Sequence, residues 1–374
     1  MKLKLIIIMI VLNITVKLHA QEKYENIQND IEIMETILDK LFDRQENTLR
    51  FISGGTSGFY LDGYGILFKV PYSVSQKVLY VNPDPRAQNF FDDLIYSNQG
   101  QKVSATNKEN VKNDIDFEKA MIEEISRVKD ISARFLGDYV SAMNYLEPNY
   151  WITVIVDFNG LPHRVTNLRS EKPIQQVIGK VQRKNIIDYH KGKIDFKKLK
   201  KQIQFVSKYD NDTEMDGDVE IFADIMNSYI EKGDKENELH VIDFVKGFYL
   251  DGYGAIFFMN VNLQPNYINI ITRGDHNSQF SVQAYSSFGD TIDFDAKLNI
   301  LQNRIISLFA RFGHTLKKLQ PGDWLEVAVN LNIIRTNNEF TKVVYRVQKK
   351  DIDRLNSQKI RINEFKKRLN IAKY

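Results

Sequence analysis

Two aspartates, Asp62 and Asp251, stand in apolar company at matching places of a duplicated octapeptide, GFYLDGYG, which runs from Gly58 to Gly65 and again from Gly247 to Gly254. A carboxylate among such neighbours is costly unless paired or hydrogen-bonded. The cation that both copies place in apolar surroundings is the arginine of Ala-Arg-Phe, Arg134 and Arg311. The pattern predicts a semi-buried Asp62–Arg134 pair, repeated as Asp251–Arg311, to which bidentate geometry is suited. The competing expectation puts the aspartates in turns and the arginines on solvated helix faces. Were the pairing absent and a cleft open beside it, Asp62 would be an acid–base candidate.

The other residue types that perform chemistry are not arranged for it. None of the histidines His163, His190, His240, His276 and His314 is matched between the copies, and no His-x-x-x-His or His-Glu-x-x-His spacing occurs, so no metal centre is assigned. No Gly-x-Ser-x-Gly is present, and no catalytic residue or cofactor is assigned. The string DTEMDG (Asp212–Gly217) opens like a calcium loop, but Ala223 stands where the bidentate glutamate belongs. Gly63–Gly65 and Gly252–Gly254 are each followed by strand-like residues, ILFKV and AIFFM, which is unlike a nucleotide-binding loop opening a helix.

Glycines two apart share one face of a strand. Gly63 and Gly65, around Tyr64, and Gly252 and Gly254, around Tyr253, are therefore expected to open a flat notch. Three occupants compete for it: a helix packed across the glycines, the matching strand of the other copy at a pseudo-two-fold axis, or an extended or small ligand.

The octapeptide anchors a longer internal repeat. Asp30–Phe42 aligns with Asp218–Ile230, each an amphipathic helix with the aspartate as expected N-cap. Asp116–Phe135 aligns with Asp293–Phe312, a second helix. Leu146–Val156 aligns with Leu319–Val329, a Pro turn leading through a Trp into a strand, and Val177–Ile186 with Val343–Ile352, a strand leaving on a basic tail. The order per copy is helix, strand pair, helix, strand, strand. The expected fold is α+β: two tandem homologous repeats, each an antiparallel sheet covered by two helices on one face. Repeat 1 spans 30–205 and repeat 2 spans 218–374, joined by a linker at 206–217 and packed on each other. Copy 1 is longer around Asn82–Asp93 and Asn167–Gln176, which are the expected surface excursions.

Residues 1–20 have the layout of a secretory signal peptide: Lys2 and Lys4, an apolar run from Leu5 to Val16, then Ala20 before a polar stretch. The run is too short for a membrane span, and no later stretch is long enough. The chain carries 51 Lys+Arg against 48 Asp+Glu. Without 1–20 and its Lys2, Lys4 and Lys17 the balance is zero, which disfavours nucleic acid as a partner. A chain without cysteine has no disulfide framework to rely on. The expectation is an exported, periplasmic or secreted protein that acts as a non-catalytic binding or structural module of the cell envelope, with an unidentified envelope protein or ligand as partner. The alternative is an envelope hydrolase with its site at the interface of the repeats.

Overall fold

The computed structural model of the chain describes residues 26–42, 55–73, 107–159, 174–209, 213–231, 239–242, 245–263, 294–332 and 340–374. The expected signal peptide, the excursion at Asn82–Asp93, most of the one at Asn167–Gln176 and residues 210–212 of the expected linker lie outside the described residues. The chain divides into two compact units, Met1–Asp212 and Thr213–Tyr374.

In the first unit a helix at 26–42 (α1) buries Ile27, Ile31, Met34, Leu38 and Phe42, a stripe at helical spacing. A hairpin of β1 (Ser57–Leu61) and β2 (Gly65–Ser73) follows, then a long helix α2 (Asn107–Arg134). Three strands complete the sheet, β3 (Trp151–Asn159), β4 (Ile174–Gln182) and β5 (Gln204–Tyr209), with short helices α3 (Arg183–His190) and α4 (Phe196–Gln202) between the last two. The strand order is β1-β2-β3-β4-β5.

The second unit repeats this plan with α5 (Thr213–Glu231), β6 (His240–Val241), β7 (Lys246–Leu250), β8 (Gly254–Asn262), α6 (Phe294–Phe312), β9 (Trp324–Asn332), β10 (Lys342–Gln348), α7 (Lys349–Asn356), α8 (Ile362–Lys366) and β11 (Asn370–Lys373). Its order is β11-β10-β9-β8, with β7 and the short extra β6 both along the outer edge of β8. The architecture is thus α+β in two sheet-based repeats, and it departs from the sequence expectation in three details.

Each sheet is mixed rather than antiparallel. The central pairs β2–β3 and β8–β9 are parallel, while the remaining pairs are antiparallel. Parallel neighbours need a crossover connection, and α2 and α6 lie in those connections. Second, the expected linker at 206–217 is largely structured. Residues up to Tyr209 finish β5, and α5 already begins at Thr213. Third, Asp30 and Asp218 are not N-caps, because both helices start earlier. Asp218 Oδ2 instead accepts from the Tyr249 hydroxyl and from the Lys317 backbone N–H, both at 2.8 Å.

Pairing registers show how closely the units correspond. Gly65 pairs with Trp151 and Trp151 with Gln182; Gly254 pairs with Trp324 and Trp324 with Gln348. Helix side chains tether the start of each hairpin: Asp39 Oδ1 accepts from the Thr56 N–H at 2.9 Å and Glu35 Oε1 from the Gly58 N–H at 2.5 Å, and Asn227 Oδ1 accepts from the Val245 N–H at 3.0 Å. The core of the second unit lies between its helices and one sheet face, where Ala255, Phe257, Met259, Leu325, Val327, Val329, Val343, Tyr345 and Val347 meet Phe222, Met226, Leu301, Ile305 and Phe309. Each such fully buried Val, Leu, Ile, Phe or Met side chain contributes about 1.5–3 kcal/mol. Strand positions pointing away from the helices are buried too, among them Phe59, Leu61, Leu67 and Ile155 in the first unit and Phe248, Leu250, Ile256 and Phe258 in the second. That is why these strands read as near-continuous apolar runs.

The glycines of the octapeptide do three separate jobs. Gly58 and Gly247 let the first helix of each unit approach: a Cβ there would lie 2.6 Å from Ile31 Cγ2 and 2.8 Å from Val219 Cγ1 respectively. Gly63 and Gly252 sit third in a four-residue turn closed by Tyr64 N–H to Leu61 O and Tyr253 N–H to Leu250 O, both 3.0 Å. Their φ values, 83° and 76°, are the left-handed ones this turn position requires. Gly65 and Gly254 begin the second hairpin strand at φ 139° and 143°. A Cβ on either would come within 2.0 Å of the carbonyl oxygen of Trp151 or Trp324.

The expected flat notch is therefore a hairpin turn plus a backbone-to-backbone contact, and an adjoining main chain fills it. Alanine substitution separates the two roles. Gly63→Ala meets nothing within 4 Å and is expected to lose about 1–2 kcal/mol, the left-handed strain alone. Gly65→Ala is expected to lose about 4 kcal/mol or more, read as a shifted denaturation midpoint of the full chain.

Candidate functional site

The sequence-flagged residues separate into exposed and buried groups. Asp62 and Asp251 occupy the exposed turns between the hairpin strands, and Arg134 and Arg311 are exposed at the ends of α2 and α6. The expectation of semi-buried Asp62–Arg134 and Asp251–Arg311 pairs therefore loses its premise, since a solvated carboxylate needs no buried counterion. Arg311 lies over the rings of Tyr229 at 5.8 Å and Phe312 at 5.2 Å, which is the solvated-helix expectation with an aromatic contact added. Gly63, Gly65, Gly252 and Gly254 act through the backbone as described.

Tyr64 and Tyr253 are the members of the set that reach a polar constellation. Each is buried, and each turns its hydroxyl onto the third residue of the strand that its own carbonyl joins. The joints are Trp151 N–H to Tyr64 O at 2.8 Å and Trp324 N–H to Tyr253 O at 2.9 Å. In the first unit the target is Thr153 Oγ1, 2.8 Å from the Tyr64 hydroxyl. In the second it is Glu326, whose Oε2 accepts from the Tyr253 hydroxyl. Across the β9–β10 ladder Arg346 pairs directly with Glu326, and its guanidinium lies 4.6 Å from the centre of the Trp324 ring. Lys180 takes the same place in the first unit, across from Thr153 and 5.2 Å from the Trp151 ring.

Strand alternation explains why these groups gather. Leu325 and Val327 point into the helix-covered core, so Trp324 and Glu326 point to the opposite face, as does Arg346 between Tyr345 and Val347. Glu326 is fully buried, Tyr253 is 4% exposed and Arg346 is 7% exposed. One carboxylate oxygen, Glu326 Oε1, has no hydrogen-bond partner among the described residues. Burial raises the Glu326 carboxyl from its ordinary 4.5 to about 7, against the opposing pull of the Tyr253 hydroxyl and the Arg346 charge. Burial first, and then the neighbouring carboxylate, hold the Tyr253 phenol well above its usual range. The arrangement can hold a proton on a carboxyl near neutral pH while the tyrosine stays protonated. Among the described residues no three His, Cys, Asp or Glu side chains gather as a metal would require.

Glu326, Arg346, Trp324, Thr153, Lys180 and Trp151 are not singled out by the sequence analysis. The available signal is a charge inside each of two apolar runs, WLEVAV and VVYRVQ, at positions that a strand alternation opposes to each other.

No protein-family model, no curated protein and no solved structure matches this chain.

The raised Glu326 carboxyl gives stability a direction with pH. Between about 4.5 and about 7 the fold retains a proton that the unfolded chain has released, so stability falls as pH rises through that window and levels off above it. The full effect is roughly 3 kcal/mol. Glu326→Gln keeps an acceptor for Tyr253 without the charge. It is expected to flatten the dependence of the melting temperature on pH, leaving the protein more stable than the parent at pH 8 and close to it at pH 5. A parent profile that is flat or rises across this window would contradict the assignment.

Proposed function

We propose that the chain is an exported, non-catalytic binding or structural module of the cell envelope, built by duplication of one sheet-and-helix unit. The observation that carries this reading is the division of labour between what the units share and what they do not. The three shared glycines and the second shared tyrosine of the octapeptide serve the architecture, through helix approach, a turn, a backbone contact, or a hydroxyl tied to the next strand. At the place where a reactive group could have been kept in both units, one has Thr153 and the other Glu326. A duplicated scaffold with divergent polar fittings suits a protein that presents surfaces. Glu326, enclosed and tied to Tyr253, fits an internal fastening between strands.

Export rests on the layout of residues 1–20, which stands as part of the proposal. Two measurements test the reading. Fractionation of cells expressing the full chain with a C-terminal tag is expected to place it outside the cytoplasm with residues 1–20 removed, read by intact mass. Purified protein is expected to give no turnover on ester, peptide, phosphate and glycoside reporter substrates. Turnover that disappears in Glu326→Gln, with the fold retained, would replace the module by a hydrolase.

A further inference from the structure

The sheet of each unit closes through a helical hairpin, α3–α4 or α7–α8, and the two hairpins are built alike. In the first, Lys191 N–H bonds Ile187 O, Gly192 N–H bonds Tyr189 O and Lys193 N–H bonds Asp188 O. In the second, Ser357, Gln358 and Lys359 make the same three bonds to Asp353, Leu355 and Arg354. Gly192 and Gln358 occupy the same left-handed turn position, with φ 71° and 58°. Both hairpins are fixed to their unit from inside. Arg183 donates to the carbonyls of Met143 and Leu146, His190 contacts the Gly137 carbonyl at 2.7 Å, and Leu199 is buried. Ile352, Ile360 and Phe365 are buried in the second, where Arg368 bridges Asp351 at 3.0 Å and Glu364 at 2.8 Å.

The charged side chains left outside are mostly basic. Residues 183–202 contain eight Lys/Arg and two Asp, and residues 349–368 contain eight Lys/Arg and three Asp/Glu. These two stretches carry +6 and +5, so with a net of +3 for the whole chain the remainder carries −8. Lys184, Lys193, Lys200 and Lys201 are exposed in the first hairpin, and Lys350, Lys359, Lys366 and Lys367 are exposed at the matching positions of the second. Lys193 and Lys200 have carboxylate partners, Asp188 and Asp130. Lys184, Lys191, Lys197, Lys198 and Lys201 are exposed without an ion pair among the described residues.

We propose that these hairpins are docking surfaces for an anionic lipid leaflet. Clusters of four to eight Lys/Arg on a helical surface are attracted to acidic headgroups at about 1 kcal/mol per charge. Lysine dominates the first hairpin, seven of its eight basic residues, and presents compact, hydrated point charges rather than the fixed fork that selects one phosphate. The charges stand on convex helices, which suits the diffuse field of a leaflet. The rest of the chain, with its net −8, offers such a leaflet no comparable attraction. In the second hairpin Ile362, 43% exposed beside Arg361, adds an apolar contact at headgroup depth. The inference is independent of whether the protein is a module or an enzyme.

The test is sedimentation of the full chain with vesicles of phosphatidylcholine alone and with about a third phosphatidylglycerol. The readout is the difference between the two vesicle types and its loss in the hairpin variants, because the leader's apolar run acts on both vesicle types and its Lys2, Lys4 and Lys17 are the same in every variant. Retention specific to the anionic vesicles is expected, weakening as salt is raised. It is expected to fall at least about tenfold in Lys191→Gln/Lys197→Gln/Lys198→Gln/Lys201→Gln, and likewise in Lys350→Gln/Lys359→Gln/Lys366→Gln/Lys367→Gln. The control Lys40→Gln/Lys317→Gln, in exposed positions outside the hairpins, is expected to bind as the parent does. Equal retention on both vesicle types overturns the proposal. So does parental binding by the hairpin variants with an unchanged melting profile, or capture by soluble polyphosphate without vesicle retention.

Discussion

Everything in each unit is arranged around one contact between main chains. The carbonyl oxygen of Trp151 or Trp324 occupies the space where a side chain on Gly65 or Gly254 would begin. That contact sets the register of the parallel pair at the centre of the sheet, and through it the position of the strands beyond. It also delivers the tyrosine before each glycine to a fixed place, hydroxyl against the third residue of the partner strand. The hairpin turn, the helix seat at Gly58 or Gly247 and the tryptophan joint are consequences of keeping that approach open. Half of the eight letters, the three glycines and the second tyrosine, make this approach or hold what adjoins it.

Glu326 shows what the same geometry permits once it exists twice. In the first unit the tyrosine hydroxyl meets a threonine, which is neutral and fits without further support. In the second it meets a carboxyl in full burial, with an arginine across the ladder and an indole ring beneath the guanidinium. Such a group costs more to bury than it returns unless it is held and partly neutralised. Its elevated affinity for a proton is the price of that enclosure.

Much of the fold is legible in the sequence because it is periodic. Apolar residues at helical spacing, Ile31, Ile37 and Leu38 among them, and the five aligned blocks carry the α+β class, the helix positions and the central strands, although Ile33 of the same series is exposed. Other features are not local. Whether β2 meets β3 in parallel depends on a connection through α2, and no periodicity within either strand records it. The strands β5 and β11 are short, half-exposed edges, so their apolar letters are too few to declare a strand, and the first reads as linker. In the octapeptide an Asp-Gly turn signal stands in plain view, but the apolar letters around it suggest one continuous ribbon. A ribbon of that kind would carry the aspartates inside, whereas the turn holds them in water. The Tyr253–Glu326–Arg346 grouping needs a register across three strands, which a single sequence does not supply.

The parallel pair has a further consequence for how the chain reaches this state. Gly65 must find a tryptophan 86 positions away and Gly254 one 70 positions away, so neither sheet can assemble from neighbours alone. A chain with two hairpins that share one octapeptide, and two tryptophan strands in the same register, also offers each hairpin a wrong mate. Repeat proteins are prone to such exchange during assembly. Synthesis from the N-terminus settles the competition for the first unit, since its own tryptophan strand emerges before the second hairpin exists. Refolding of the entire polypeptide from denaturant enjoys no such ordering, and there the fidelity of the duplicated octapeptide becomes a liability.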